Sequence, residues 1–240
     1  MYGYGYYPLY GFWDWTYLLV IVGAVICLAA SAKMRGTFNR YSHVRSRSGM
    51  TGAQAAERIL YNAGIRDVRV IHIQGNLSDH YNPKNKTLAL SDTVYGSTSV
   101  AAVGVAAHEC GHAIQHQLGY VPLRVRGAMV PVVNIGSGLA WPLIIIGILF
   151  GGGGNILVTI GIWMFSLAVL FQLVTLPVEF NASRRALGEL ERTGILGHEE
   201  LKSTRKVLTA AAMTYVASAA AIILQLLRLI LLFGGNRRDE

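Results

Sequence analysis

Two cysteines are all that these 240 residues contain, Cys27 inside an apolar run and Cys110 beside a pair of histidines, so no disulfide framework staples the chain. Charge is scarce too. Charged residues make up 14% of the sequence, where ordinary soluble domains carry about 25%, and the mean hydropathy of +0.40 agrees. A fully soluble globule is therefore not expected. Acidic residues number 13 against 21 Lys and Arg, a net charge of +8, yet the placement of the basic residues argues against nucleic acid as the partner. No internal repeat is visible. No basic residue precedes the first apolar run, and no small-residue cleavage site stands out before Lys33. These absences favour an uncleaved anchor over a secretory signal.

What is present is apolar sequence in four runs, at about 16–32, 128–150, 155–178 and 209–233. Each approaches the ~20 residues a helix needs to cross a ~30 Å hydrocarbon core. The opening 1–15, within "MYGYGYYPLYGFWDWTY", is a low-complexity tail whose Tyr and Trp suit a membrane–water boundary. Of the 21 basic residues, 12 lie in 33–127 and 6 in 179–206. Two crossings separate these segments, which puts them on one side of the bilayer, and positive charge beside helix ends marks the cytoplasmic side. The expected topology has the N-terminus outside, both polar segments inside and the C-terminal tail 234–240 outside. Arg237 and Arg238 are offset there by Asp239 and Glu240. The fold class is thus a mainly α, multi-pass integral membrane protein of the cell membrane with a small α+β cytoplasmic part.

Within that part, "RGTFNRYSHVRSRSG" is a basic linker suited to anionic headgroups. "TGAQAAERILYNAGI" predicts a helix capped by Thr51 and Gln54 and ended by Gly64. "VRVIHI" and "TLALS" predict strands, with turn residues "GNLSDHYNPKNK" between them, and a helix follows from about Ser97 to Leu118. The segment 179–206 reads as two short helices broken near Gly194.

Chemistry enters at "VAAHECGHAIQHQ". Positions i and i+4 share a helix face about 6 Å apart, so His108 and His112 can face one Zn²⁺ ion. Glu109 lies beside the ion without ligating it and can take a proton from the water that zinc acidifies to a pKa of about 7. Cys110 points elsewhere and reads as a packing residue. A third ligand is needed. His116 repeats the four-residue step, but it lies about 12 Å along the axis from His108, too far for one ion; it reads as an outer or surface residue. Glu179, in "LPVEFNASRRAL", is the better candidate, because the second and third apolar runs form a hairpin at "FGGGGN" that returns the chain to the face it left. Pro177 just before it suits a first helical turn. The bland reading is that Glu179 only offsets a helix dipole.

"NLSDHYNPKNKTLALSDTVYGSTSVAAVGVAAHECGHAIQHQ" together with "LPVEFNASRRAL" resembles the YugP-type membrane neutral zinc metallopeptidases, and more distantly the HtpX-type gluzincin proteases. The resemblance spans nearly the whole chain. It implies a zincin-like catalytic part and a Zn²⁺-dependent endopeptidase, with His108, His112 and Glu179 as ligands of one catalytic ion and Glu109 as base. Where HtpX-type enzymes carry an aspartate four residues after the ligand Glu, this chain has Ser183, which brings a hydrogen bond but no charge. The resemblance also suggests that the strand Thr87, Leu88, Ala89, Leu90 and Ser91 offers a free edge to an extended polypeptide. The alternative is an interior strand closed to ligands. Candidate donors to a developing oxyanion are His80, His116, Asn181 and Tyr215. Arg228, near the end of the fourth run, can snorkel.

Three functions compete. A metalloendopeptidase acting on membrane or membrane-adjacent polypeptides fits best. A site-2-type intramembrane protease needs its motif in a crossing helix and an aspartate from another; only about ten apolar residues precede His108, and no Asp stands in the later runs. A non-catalytic metal-stabilised scaffold leaves Glu109 without purpose, since structural zinc sites usually fill four positions with Cys and His.

Overall fold

The computed structural model describes residues 14–234; the aromatic tail up to residue 13 and the tail from 235 lie outside the described residues. The elements, in chain order, are α1 (Tyr17–Ser42), α2 (Gly52–Asn62), β1 (Arg69–Ile73), β2 (His80–Asn82), β3 (Thr87–Ser91), α3 (Asp92–Tyr95), α4 (Val100–Gln117), α5 (Val121–Gly151), α6 (Ile156–Arg192) and α7 (His198–Phe233). α1, α5, α6 and α7 are long and apolar enough to cross a membrane, by length and composition. α4, which carries the two histidines, is not among them. The chain divides into two compact units, and each long helix contributes residues to both.

The first unit takes in the described residues of Met1–Leu28, Val133–Leu170 and Ala217–Glu240. Here α5 turns into α6 through Gly152, whose φ of +71° belongs to the left-handed region glycine tolerates. Asn155 then caps α6 by accepting the Leu157 N–H at 2.9 Å. The two helices close tightly at Gly161, where a Cβ would stand 2.9 Å from the Ala140 carbonyl oxygen; small residues permit such approach between apolar helices. Many large apolar side chains face outward, among them Leu149, Phe150 and Trp163, a surface that water does not favour. The Arg228 guanidinium lies over the Tyr17 ring at 4.1 Å and 3.9 Å from the Asp14 carboxylate, just ahead of α1; an anion and an aromatic face stabilise a cation that is largely removed from water.

The second unit, Ala29–Val132 with Phe171–Val216, holds the sheet and the histidine helix. The Thr51–Gln54 capping box forms, and Gly64 follows α2 at φ +74°. Ser99 caps α4 by accepting the Ala102 N–H at 3.1 Å. α4 is lined with small buried residues, and Gly104 sits where a Cβ would fall 2.5 Å from the Thr204 methyl. Such shaving lets neighbouring helices approach the backbone of α4 itself.

Several expectations need correcting. The segment 179–206 is not a pair of short helices of its own: its first part continues α6 to Arg192 and its second opens α7 at His198, with the break at Gly194 where φ is +65°. Pro177 lies inside α6 and not in a first turn. A proline there forfeits one backbone hydrogen bond, but Val178, Ala182, Ala186 and Leu190 follow at four-residue spacing, all fully buried, so packing holds the helix through it. The strand Thr87–Ser91 offers no free edge. The sheet order is β1-β3-β2, with β1 parallel and β2 antiparallel to β3. All five residues of β3 are buried, and both of its edges are satisfied within the protein. The free edges belong to β1 and β2.

Candidate metal centre

α4 presents His108 and His112 on one face, and α6 brings Glu179 against them. Glu179 Oε2 lies 3.3 Å from His108 Nε2 and 3.6 Å from His112 Nε2, and the three donor atoms lie within 4.8 Å of one another. Two ligands held at zinc's usual 2.0–2.1 Å in a tetrahedron stand about 3.4 Å apart. The edges of 3.3 and 3.6 Å suit a single ion.

Protons tell the same story. Gln115 donates from Nε2 to the Val178 carbonyl at 2.8 Å and to Asn181 Oδ1 at 3.0 Å, which leaves its Oε1 facing His112 Nδ1 at 3.0 Å. Since Oε1 only accepts, the His112 proton sits on Nδ1 and the Nε2 lone pair points at Glu179. His108 Nδ1 is occupied likewise by Ser183 Oγ at 3.1 Å. A nitrogen lone pair aimed at a carboxylate is repulsive unless a cation stands between them. Burial opposes a positive charge on His112, but the Glu179 and Glu109 carboxylates, with Gln115, together outweigh it and raise the imidazole pKa above the ordinary histidine value. A divalent ion answers the same electrostatic demand. The residues present therefore fit zinc, each Nδ1 being held by the kind of partner that orients metal-binding histidines.

Around these donors the chain builds a second layer. The far oxygen of Glu179, Oε1, pairs with Arg126 Nη1 at 3.3 Å, so one carboxylate is oriented from both sides. Glu109 is buried and accepts the Tyr81 N–H of β2 at 3.0 Å; burial pushes its carboxyl above the usual range despite the neighbouring imidazoles. Asp79 is fixed by the Ser91 N–H at 2.8 Å and the Ser91 hydroxyl at 3.0 Å, and burial raises its pKa as well.

The other sequence-derived candidates divide. Tyr215 lines the cavity with Glu109 and Glu179. His116 Nδ1 meets the Tyr81 hydroxyl at 2.9 Å and stands apart from the donor cluster. His80 Nδ1 lies 3.0 Å from the Ser78 carbonyl on an exposed surface. Asn181 Oδ1 accepts from Gln115 Nε2 at 3.0 Å and from Arg185 Nε at 2.7 Å, which ties it to the framework that holds His112. Cys110 is buried against the Ala56 carbonyl at 3.6 Å, as packing requires. Sequence reasoning missed Gln115, Arg126 and Asp79. Only Gln115 left a signal, standing three residues after His112 on the same helix face.

Close approach of the two helices is what makes the cluster. A Cβ on Gly111 would stand 2.5 Å from the Ala182 carbonyl oxygen, so Gly111→Ala must push α4 and α6 apart. It is expected to cost about 1–3 kcal/mol of stability and to weaken zinc binding. Thermal unfolding and zinc titration check this; unchanged values in both would mean that the helix spacing does not set the cluster.

Long apolar helices and a two-histidine, one-glutamate donor set define the class: a mainly helical protein with four helices long and apolar enough to cross a membrane and a candidate metal centre. Residues 16–234 match the family described as "Putative neutral zinc metallopeptidase", and the chain belongs to that family. It is also 45% identical over 222 residues to the "Putative membrane protease YugP" of Bacillus subtilis (strain 168), a match covering 92% of this chain and 97% of that protein. No solved structure matches the chain.

Proposed function

We propose that this chain is a membrane-embedded zinc metalloendopeptidase that hydrolyses peptide bonds at the cytoplasmic face. The carrying observation is the convergence of His108 and His112 with Glu179, from helices distant in sequence, beside a buried carboxylate. These three residues hold the ion, and zinc so held supplies Lewis acidity toward the scissile carbonyl and toward water. Glu109, fixed by the Tyr81 N–H, takes the proton of the attacking water and passes it to the departing amine. A raised carboxyl pKa eases the second transfer. Ser183 and Gln115 keep the two imidazoles turned toward the ion, and Arg126 does the same for Glu179.

Two clefts meet at this point, one of about 720 Å³ and one of about 600 Å³, and both are lined by Asp79, Glu109, Glu179 and Tyr215. A polypeptide occupying both would lay its scissile bond beside Glu109. Of the oxyanion donors weighed, Tyr215 is preferred because it borders both clefts, whereas His80 and His116 border only one. The crossings and the cytoplasmic orientation rest on the four apolar runs and the basic segments between them. Membrane or membrane-adjacent polypeptides are the expected substrates.

Purified full-length protein loaded with zinc is expected to cleave an unfolded polypeptide such as casein. Chelation by 1,10-phenanthroline should stop the cleavage, and added zinc restore it. Protein that holds one zinc per chain yet cleaves neither casein nor a fluorogenic peptide library would overturn the reading.

A further inference from the structure

The second unit carries a cluster of cations that the metal centre does not use. Lys33 and Arg40 on α1 face Arg205 and Lys206 on α7 across a groove of about 640 Å³. No Asp or Glu lines it. Among the described residues none of the four cations enters an ion pair, Arg40 alone resting 5.7 Å from the Tyr41 ring. By contrast Lys86, Arg192 and Lys202, also exposed, each have a carboxylate. Gly36 and Ala210, with little or no side chain, are part of the groove's lining, which leaves room for a bulky group between the helices.

Four like charges around one hollow repel each other unless an anion sits among them. We propose that this groove binds the phosphate of an anionic phospholipid. Its place in the chain chooses the lipid over a soluble anion: Lys33 directly follows the apolar run 16–32, and Arg205 and Lys206 stand a few residues before the run 209–233. A phosphate held there lies where two bilayer-length apolar segments begin, so acyl chains can lie along their exposed Leu and Ile side chains. Basic pockets between helices at the cytoplasmic boundary bind acidic headgroups by this arrangement. The inference rests on the membrane reading but not on proteolysis, and casein cleavage is scored separately.

The test uses full-length zinc-loaded protein in mild detergent, with dioleoylphosphatidylglycerol, dioleoylphosphatidylcholine or inorganic phosphate added, and counts retained lipid by native mass spectrometry. Phosphatidylglycerol is expected to be retained at least tenfold better than phosphatidylcholine, and phosphate in excess should fail to displace it. Arg40→Gln with Arg205→Gln should remove that preference, as should Lys33→Gln with Lys206→Gln, while Lys84→Gln with Arg69→Gln, equal in charge lost, should keep it. Equal retention of the two lipids, loss of preference in the control pair, or unchanged preference in both groove pairs would each overturn the proposal. Displacement by inorganic phosphate would identify a site for free anions and overturn it also.

Discussion

Glu109→Gln is expected to leave zinc at one ion per chain and to lower casein cleavage by ~10²–10⁴-fold, the usual contribution of a positioned general base. The substitution is nearly isosteric. A glutamine oxygen can still accept the Tyr81 N–H that now reaches Glu109 Oε2 at 3.0 Å, so the side chain keeps its place. An amide cannot accept the proton of attacking water, so only the chemical step is lost. The donor atoms of His108, His112 and Glu179 belong to other side chains, and metal content should not move. Metal analysis beside a cleavage assay reads both quantities from one preparation. Cleavage at the parent rate would refute the role given to Glu109. Loss of both zinc and cleavage would instead mean that this residue supports the metal, and the assignment would fail for a different reason.

Some of this architecture could be read from residue order because a helix converts spacing into geometry. His108 and His112 face one way on any straight helix, and the structure sets their rings 4.8 Å apart. Glu179 was legible through a chain of inference: two apolar runs of similar length joined at a glycine-rich turn return the backbone to the side it left. Hydropathy, however, marks where lipid should end and not where a helix ends. α1 therefore runs ten residues past its apolar run to Ser42, and α6 passes through Pro177 because packing there outweighs local propensity. β2 escaped notice because three residues, His80–Asn82, lie within a stretch of Asp, Asn and Pro that favours turns. Its pairing is what closes the edge of β3. Asp79 and Arg126 have no local signature at all. A carboxylate held by Ser91 and a guanidinium set against Glu179 acquire their surroundings only when elements far apart in sequence pack.

Glu179→Ala is expected to reduce zinc affinity by ~100-fold or more, beyond the 10–100-fold typical of losing an outer partner of a metal site, while His116→Ala leaves zinc stoichiometry unchanged. Three effects combine at position 179. The only anionic donor disappears, and with it the carboxylate that sets the edges of 3.3 and 3.6 Å to the two imidazoles. Arg126, now neutralised at 3.3 Å by Glu179 Oε1, would be left as an unpaired cation repelling the ion. The side chain removed is also fully buried, so some stability will be lost with it. Glu179→Gln separates these causes, since it keeps the volume and an oxygen but not the charge: it should fold like the parent and still bind zinc weakly. His116 makes its recorded contact with the Tyr81 hydroxyl at 2.9 Å, outside the donor cluster. Zinc titration of the three variants, with thermal unfolding as the check on folding, tests the ligand set. Undiminished zinc affinity in Glu179→Ala, with loss in His116→Ala, would transfer the third position to the histidine.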